Sequence, residues 1–351
     1  MNPVQDAISK LVEKKDLTTL EATRAMKCIM SGEASPAQIG GFLATLRLKG
    51  ETISEITAFA KVMRDFAARI NPRVKGVLVD TCGTGGDKIK TFNVSTAVSL
   101  VAAGAGVPIA KHGNRSVTSK SGSADVLEAL GVKIDLDPGG VERCIQEIGY
   151  GFMFAPVFHK AMRHALPVRK EVGIRTVFNV LGPLTNPANA RAQVLGVYDV
   201  SFTVTLAKVL NGLGVKRAMV VHGLAGLDEI STLGPTQISE LKGGKVKTYT
   251  VTPEEFGIRR TKTAAIVGSD VEENARMLLR VLKCEEGPHR DVVLLNAAAA
   301  IMVGGKASDI KKGLKLAAGA IDSGKAYEKL AQLVQCSGGD SQKLKMLEAS
   351  L

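Results

Sequence analysis

Tryptophan is absent from the 351 residues, and Phe, Trp and Tyr together make up only 4% of them. So thin a supply of rings argues against a protein that grips nucleic acid by stacking bases on aromatic platforms. Cysteine is scarce as well. Cys28, Cys82, Cys144, Cys284 and Cys336 are odd in number and far apart, with no C-x-x-C pair. That pattern argues against a disulfide framework or a cysteine zinc site and fits a reducing cytosol. Long apolar runs are missing too. The stretches 98–110 and 292–303 stay short of the ~18 residues that a membrane span needs. Residues 1–30 contain Asp6, Glu13, Lys14, Lys15 and Asp16 where a signal peptide would be apolar. The expectation is a soluble, cytoplasmic protein with no membrane partner.

Apolar residues make up 45% and charged residues 23%, an ordinary globular mixture. Lys and Arg outnumber Asp and Glu by 46 to 34, a net charge of +12. Such an excess favours anionic partners, either phosphorylated metabolites or nucleic acid, and it also serves solubility alone.

Residues 1–70 read as four helices. Val4, Ile8, Leu11 and Val12 form one apolar stripe, and Leu20, Ala22, Met26 and Ile29 a second. Ser35-Pro36 starts a helix that Gly50 can stop, and Ser54 with Thr57 opens the next. Asn71-Pro72 is a breaker and a plausible domain boundary. Beyond it, strands alternate with helices: strands at 77–80, 107–110, 132–134, 152–155, 193–198 and 218–221, with helices at 93–104 and 124–130. This is the pattern of a parallel α/β sheet. Residues 159–184 look helical and punctuated by proline, an insert expected to pack back on the N-terminal helices. Residues 270–333 are mostly helical, with Ala297–Ala300 tightly packed and Lys311, Lys312 and Lys315 exposed. The fold class is α/β: a small all-helical domain plus a larger α/β domain with a mainly parallel central sheet. The helical domain takes 1–71 with an insert of about 160–187, and the α/β domain takes 72–159 and 188–351.

The strongest local signal is Asp80-Thr81-Cys82-Gly83-Thr84-Gly85-Gly86-Asp87 between a strand and a helix. Glycines let backbone N–H groups approach an anion, and Asn93, Ser95 and Thr96 add amide, hydroxyls and a helix N-terminus. It is neither a P-loop nor a dinucleotide fingerprint. A tight strand-to-helix turn would explain the glycines equally simply. A second loop weakens that plain reading. Lys111-His112-Gly113-Asn114-Arg115-Ser116-Val117-Thr118-Ser119-Lys120-Ser121-Gly122-Ser123 packs cations, an imidazole, an amide and hydroxyls after the next strand. Loops after successive parallel strands meet at one sheet edge, and such donors suit a diphosphate. A third loop, His222-Gly223-Leu224-Ala225-Gly226-Leu227-Asp228-Glu229, brings adjacent carboxylates. They are either solvated helix-capping acids or the protein side of a Mg²⁺ bound between carboxylates and phosphates.

At these residues the sequence resembles the anthranilate phosphoribosyltransferase family of tryptophan biosynthesis. The resemblance continues, in the family's order, through Pro167-Val168-Arg169, Arg175-Thr176-Val177-Phe178-Asn179, Leu181-Gly182-Pro183-Leu184-Thr185-Asn186-Pro187 and Gly226-Leu227-Asp228-Glu229. It implies the substrates phosphoribosyl pyrophosphate (PRPP) and anthranilate, two Mg²⁺ ions per monomer, and a homodimer formed largely through the helical domains. By this likeness Gly83, Gly86, Asp87, Thr91, Asn93, Val94, Ser95, Thr96, Lys111, His112, Gly113, Asn114, Arg115, Ser116, Val117, Thr118, Ser119 and Ser123 hold PRPP. Gly83, His112, Asn114, His159, Arg169 and Gly182 receive anthranilate, whose carboxylate suits an arginine. Ser95, Asp228 and Glu229 match metal ligands, and His112 is the candidate catalytic residue. Thr118 stands where the family often has Ser, and Lys160 follows His159 where Pro is common. The rivals are a phosphorylase that cleaves nucleosides with phosphate and a nucleic-acid-binding relative without transferase activity. The acids at 228 and 229 would repel a phosphate backbone, so no nucleic-acid partner is expected.

Overall fold

The computed structural model describes residues 2–86, 88–116 and 121–351. Four helices come first: α1 (Pro3–Val12), α2 (Thr19–Ser31), α3 (Pro36–Lys49) and α4 (Ile53–Asp65). Asn2, Thr18, Ser35 and Thr52 accept from N–H groups of the first turns, donors that a helix cannot satisfy internally. Thr18 with Glu21, Ser35 with Gln38 and Thr52 with Glu55 form reciprocal capping boxes. The cap of α4 is therefore Thr52 rather than Ser54, because the Glu55 carboxylate returns to Thr52. Val12 and Leu20, expected in the buried stripes, are 64% and 58% exposed. A helical period marks a face without saying where its cover ends.

The chain then alternates: β1 (Val79–Gly83), α5 (Val94–Gly104), β2 (Ile109–Gly113), α6 (Ser123–Ala129), α7 (Pro138–Ile148) and β3 (Tyr150–Phe154). The expected strand at 132–134 is not one. Val132 and Ile134 are buried, but the segment joins α6 to α7 outside the sheet. Its apolar side chains plug the helix layer, which needs no ladder. α8 (Ala155–Phe158) follows β3, and the insert carries α9 (Leu166–Val172) and α10 (Phe178–Leu181). Ala165, Val168, Phe178 and Leu181 share one core with Phe42, Leu43 and Phe59.

Next come β4 (Ala192–Gly196), α11 (Phe202–Gly212) and β5 (Arg217–Gly223). The expected alternation then breaks at β6 (Thr236–Lys242) and β7 (Lys245–Val251), a hairpin turned at Gly243-Gly244. The chain ends in α12 (Val271–Leu282), α13 (Pro288–Val303), α14 (Ile310–Asp322), α15 (Lys325–Cys336) and α16 (Ser341–Ala349). Ala297–Ala300 are fully buried, and Lys311, Lys312 and Lys315 are exposed.

Among the described residues the strands form one sheet in the order β3-β2-β1-β4-β5-β6-β7. β1 to β5 are parallel to their neighbours, and β6 and β7 add an antiparallel edge. The architecture is thus a small N-terminal helical bundle and a larger α/β unit with a mainly parallel sheet. Both faces are covered. α5, α6 and α12 to α15 pack on Val79, Ile109 and Val194, whereas α11 and the N-terminal helices cover Leu195, Val197 and Val220. That leaves the strand ends. β1, β2, β4 and β5 all finish in glycine, at one edge of the sheet.

Candidate active site

The loop after β1 is laced to the loops after β4 and β5. The Gly85 N–H donates to Asp228 Oδ2 at 3.2 Å. The Thr84 N–H donates to the Gly196 carbonyl at 2.9 Å, and Lys88 N–H to that of Gly226 at 3.1 Å. Thr84 Oγ1 accepts from Tyr198 N–H at 3.0 Å. Gly85 and Gly86 turn at φ of +66° and +78°, where side chains are strained. Gly83 and Gly196 are needed for close approach instead: an added Cβ would stand 2.6 Å from Asp228 Oδ2 at Gly83 and would overlap the Asp228 carbonyl oxygen at Gly196. Arg175 Nη2 donates to the Gly86 carbonyl at 3.1 Å while its guanidinium lies 4.2 Å from the Tyr198 ring centroid.

Asn93 stands at the cap of α5 without capping it. Its Nδ2 donates to the Ser121 carbonyl at 3.3 Å, and its Oδ1 accepts from Ser121 Oγ and Asn274 Nδ2. The far end of the second loop is thereby tied to the start of α5. Lys111 lies on β2 and is 1% exposed. Its Nζ donates to the Thr81 carbonyl at 2.6 Å and to Ser95 Oγ at 3.2 Å. Burial drives the ammonium pKa down, and the charges of Asp80, Cys82 and Glu229 pull it back up. Gly85, Lys111 and the Asp228-Glu229 pair therefore belong to one cluster. Thr91 bridges Val267, Val94 is buried in the core with its N–H turned to Phe92, and the Thr96 hydroxyl is fully buried without a partner among the described residues.

Asp125 closes the second loop by accepting from the N–H groups of Ser116 at 3.0 Å and Gly122 at 2.9 Å. Burial pushes its carboxyl pKa up, but these bonds and Arg115 outweigh it and the net shift is downward. Arg115 forks between Asp125 and Glu128 on α6, so this expected phosphate cation is engaged by acids. The Asn114 carbonyl accepts from Ala124 N–H and Ser123 Oγ. Gly113 lies so near that an added Cβ would meet Ser123 Oγ. Asp87, Val117, Thr118 and Ser119 lie outside the described residues.

His112 and His159 are both buried, with ring centroids 4.9 Å apart. Burial pulls the His112 pKa well below the usual range, and that of His159 to about 4. The backbones of Gly182 and Thr185 oppose the shift, so each ring points its N–H at a carbonyl. Both Nε2 atoms have no partner among the described residues, leaving two acceptor lone pairs. Arg169, on α9, sits 5.2 Å from the Phe178 ring centroid, and burial alone lowers its pKa. Open space adjoins Gly182.

A family model described as the a/b domain of a glycosyl transferase family matches residues 75–327, and that family's helical bundle domain matches residues 5–67. The chain belongs to this glycosyl transferase family. It is 56% identical over 332 residues to the anthranilate phosphoribosyltransferase of Acetivibrio thermocellus, covering 95% of this chain and 96% of that one. The solved Thermus thermophilus anthranilate phosphoribosyltransferase matches with a TM-score of 0.90 and 46% identity, over 95% of this chain and 99% of that one. The Saccharomyces cerevisiae enzyme in complex with PRPP and Mg matches at 0.88 and 29%, over 95% and 98%.

Ser95 Oγ accepts from the Lys111 ammonium, the Glu229 charge acts on that same ammonium, and Asp228 holds the Gly85 N–H, so these three oxygen donors border one cluster. Among the described residues no three acidic, imidazole or thiol groups gather closely enough to hold a cation alone. This donor set fits Mg²⁺, which takes one or two carboxylates and completes its shell with water and substrate phosphate. Asp80 and Thr81 opened the glycine-loop motif without a role of their own, and two supporting residues, Asn274 and Asn296, escape a local reading. Asp80 Oδ1 accepts from His112 N–H at 3.2 Å, and Asn296 holds both backbone groups of Ile230 at 2.8 Å. Asn296 did leave a signal, a polar residue interrupting the apolar run 292–303, whereas Asn274 follows two glutamates and left none. A cavity of about 730 Å³ lined by residues 71–78, Ala188, Asn189 and Arg191 shares no residue with this cluster.

Proposed function

We propose that this chain transfers the 5-phosphoribosyl group of PRPP to the amine of anthranilate, releasing pyrophosphate, a step of tryptophan biosynthesis. One observation carries this reading: the glycine turn, the Lys111 ammonium and the Asp228-Glu229 carboxylates, far apart in sequence, converge at one sheet edge beside the start of α5. The Acetivibrio and Thermus relatives carry the same activity in their names.

In this reading the diphosphate lies against Gly83, Gly86, Asn93 and Ser95, with Lys111 beneath. Displacement breaks the bond from the anomeric carbon to pyrophosphate, so negative charge grows on the leaving group. A fixed ammonium and oriented N–H groups stabilise that charge without reorganising, each donor contributing roughly 2.7–4 kcal/mol. Mg²⁺, two ions per monomer held by Ser95, Asp228 and Glu229, supplies further neutralisation of the phosphates. Arg169 takes the anthranilate carboxylate, and the neutral rings of His112 and His159 wall the aromatic ring. The amine becomes strongly acidic after attack, so even a weak base such as His112 Nε2 can accept its proton.

Residues 1–71 with 160–187 form the helical domain of this reading. The exposed Val12, Leu20 and Leu48 on it support a homodimer through that surface, which sedimentation velocity checks. The decisive assay is anthranilate fluorescence. It should be lost only when PRPP and Mg²⁺ are both present. Persistent fluorescence, together with DNA binding that falls steeply with salt, would sink the transferase reading.

A further inference from the structure

Cys144 on α7 and Cys336 at the end of α15 are unbridged, yet their sulfurs lie 2.8 Å apart. A disulfide bond spans about 2.05 Å, so bonding needs a shift of less than an ångström. The two positions are 192 apart in sequence and meet because α15 packs on α7. Cys144 is fully buried, whereas Cys336 is partly exposed, with a Glu147 carboxylate oxygen 3.7 Å from its sulfur. The remaining thiols have other surroundings. Cys28 faces Asn2, Cys82 faces Asp80, and Cys284 faces the Ile321 carbonyl. Among the described residues no other two sulfurs meet in this way.

We propose that Cys144 and Cys336 are a reversible disulfide site that fastens α15 to α7 under oxidation. The oxidant is a small-molecule disulfide. The accessible Cys336 thiolate attacks one of its sulfurs; that S–S bond breaks, one small thiolate leaves, and a mixed disulfide remains on Cys336. Cys144 then attacks Cys336 Sγ, the mixed bond breaks, and the second small thiolate leaves. Two protein thiols are oxidised, one small disulfide is reduced to two thiols, and the two protein thiol protons end on those thiols. The order follows from access and acidity. Burial and the neighbouring Cys336 push the Cys144 thiol up to about 12, so it is the poorer first attacker. Its own step is intramolecular, where contact offsets a small thiolate fraction.

The test reads the thiols themselves, so it does not depend on transferase activity. The native protein is incubated with hydroxyethyl disulfide at mildly alkaline pH, quenched in acid, unfolded, alkylated and digested without reductant. The peptides of Cys144 and Cys336 should emerge as one cross-linked species that dithiothreitol separates, with loss of two alkylatable thiols. Cys144→Ser should halt at the mixed disulfide on Cys336, and Cys336→Ser should leave Cys144 alkylatable. Wild-type protein in which Cys336 carries the mixed disulfide while Cys144 is alkylated, or in which neither reacts, overturns the proposal.

Discussion

The Gly85 N–H reaches Asp228 Oδ2 at 3.2 Å although 143 positions separate the two residues. Asp228 therefore has two tasks in the proposed reaction, as acceptor for the glycine turn and as negative charge for Mg²⁺. The tasks separate by substitution. Asp228→Asn keeps an acceptor oxygen and loses the charge, whereas Asp228→Ala loses both. Steady-state kinetics should show kcat/KM for PRPP lowered about 10–100-fold in Asp228→Asn, by analogy with supporting groups at metal sites. Raised Mg²⁺ should recover part of it. Asp228→Ala should lose more and respond less. Equal losses and equal Mg²⁺ responses would refute the division.

Lys111 is a buried cation that bonds a carbonyl and a hydroxyl and meets no carboxylate directly among its described hydrogen bonds. Such a group is costly to fold and retained for what it does. Lys111→Met keeps the stem and removes the charge. Removing one member of a buried set of opposite charges leaves Asp80 less compensated, so some thermal stability should be lost as well, and turnover is compared at a temperature where the variant is folded. Turnover should fall about 10²–10³-fold, the effect of deleting one preorganised donor. Retained turnover would remove Lys111 from the diphosphate site.

Local chemistry was legible where it acts locally. Ser35-Pro36 announced α3 and Gly50 its end, and the helix read at 93–104 begins one residue later, at Val94. The glycine turn and the polar second loop also announced themselves as neighbours. What remained hidden depends on distant partners. Nothing near Arg115 says that α6 will turn Asp125 and Glu128 toward it. Nothing near Lys111 says that its stem lies inside the sheet rather than in the loop. The stretch 132–134 misled because burial between helices gives the same apolar letters as burial in a strand. The β6–β7 hairpin did leave a signal, Gly243-Gly244 between two β-rich runs.

Gly196 tests the close approach of β4 to the acidic loop. A Cβ there would overlap the Asp228 backbone carbonyl, which cannot swing aside as a side chain does. Gly196→Ala should destabilise the protein by more than the ~1–3 kcal/mol of ordinary overpacking. Gly83→Ala crowds only the Asp228 side chain and meets the Gly196 carbonyl at an ordinary 3.6 Å, so it should fold and lose activity. Urea denaturation beside the fluorescence assay distinguishes the two, and a stable Gly196→Ala protein would contradict this packing.

Arg169 should govern anthranilate alone. Its planar fork suits a carboxylate, which a lysine ammonium meets as a point charge. Arg169→Lys should raise the KM for anthranilate at least tenfold, within the ~1.5–3 kcal/mol typical of charge-assisted bonds, and leave that for PRPP near its original value. A matching rise in both would mean that Arg169 positions the insert rather than the substrate.

The paired imidazoles make stability depend on pH. Burial lowers both pKa values, that of His159 to about 4 from an ordinary 6.5. Between those limits the unfolded chain binds protons that the folded chain refuses. The stability they contribute is therefore complete above about pH 6.5 and is lost as the pH falls toward 4. Carboxylates also titrate in this window, so the comparison must be differential. Urea unfolding of wild type and of His159→Asn, followed across the window, should show a shallower acid loss in the variant, since one proton-binding site disappears from the unfolded state. An identical slope would mean that His159 is accessible to protons in the folded protein. It would then be no dry wall for an aromatic ring.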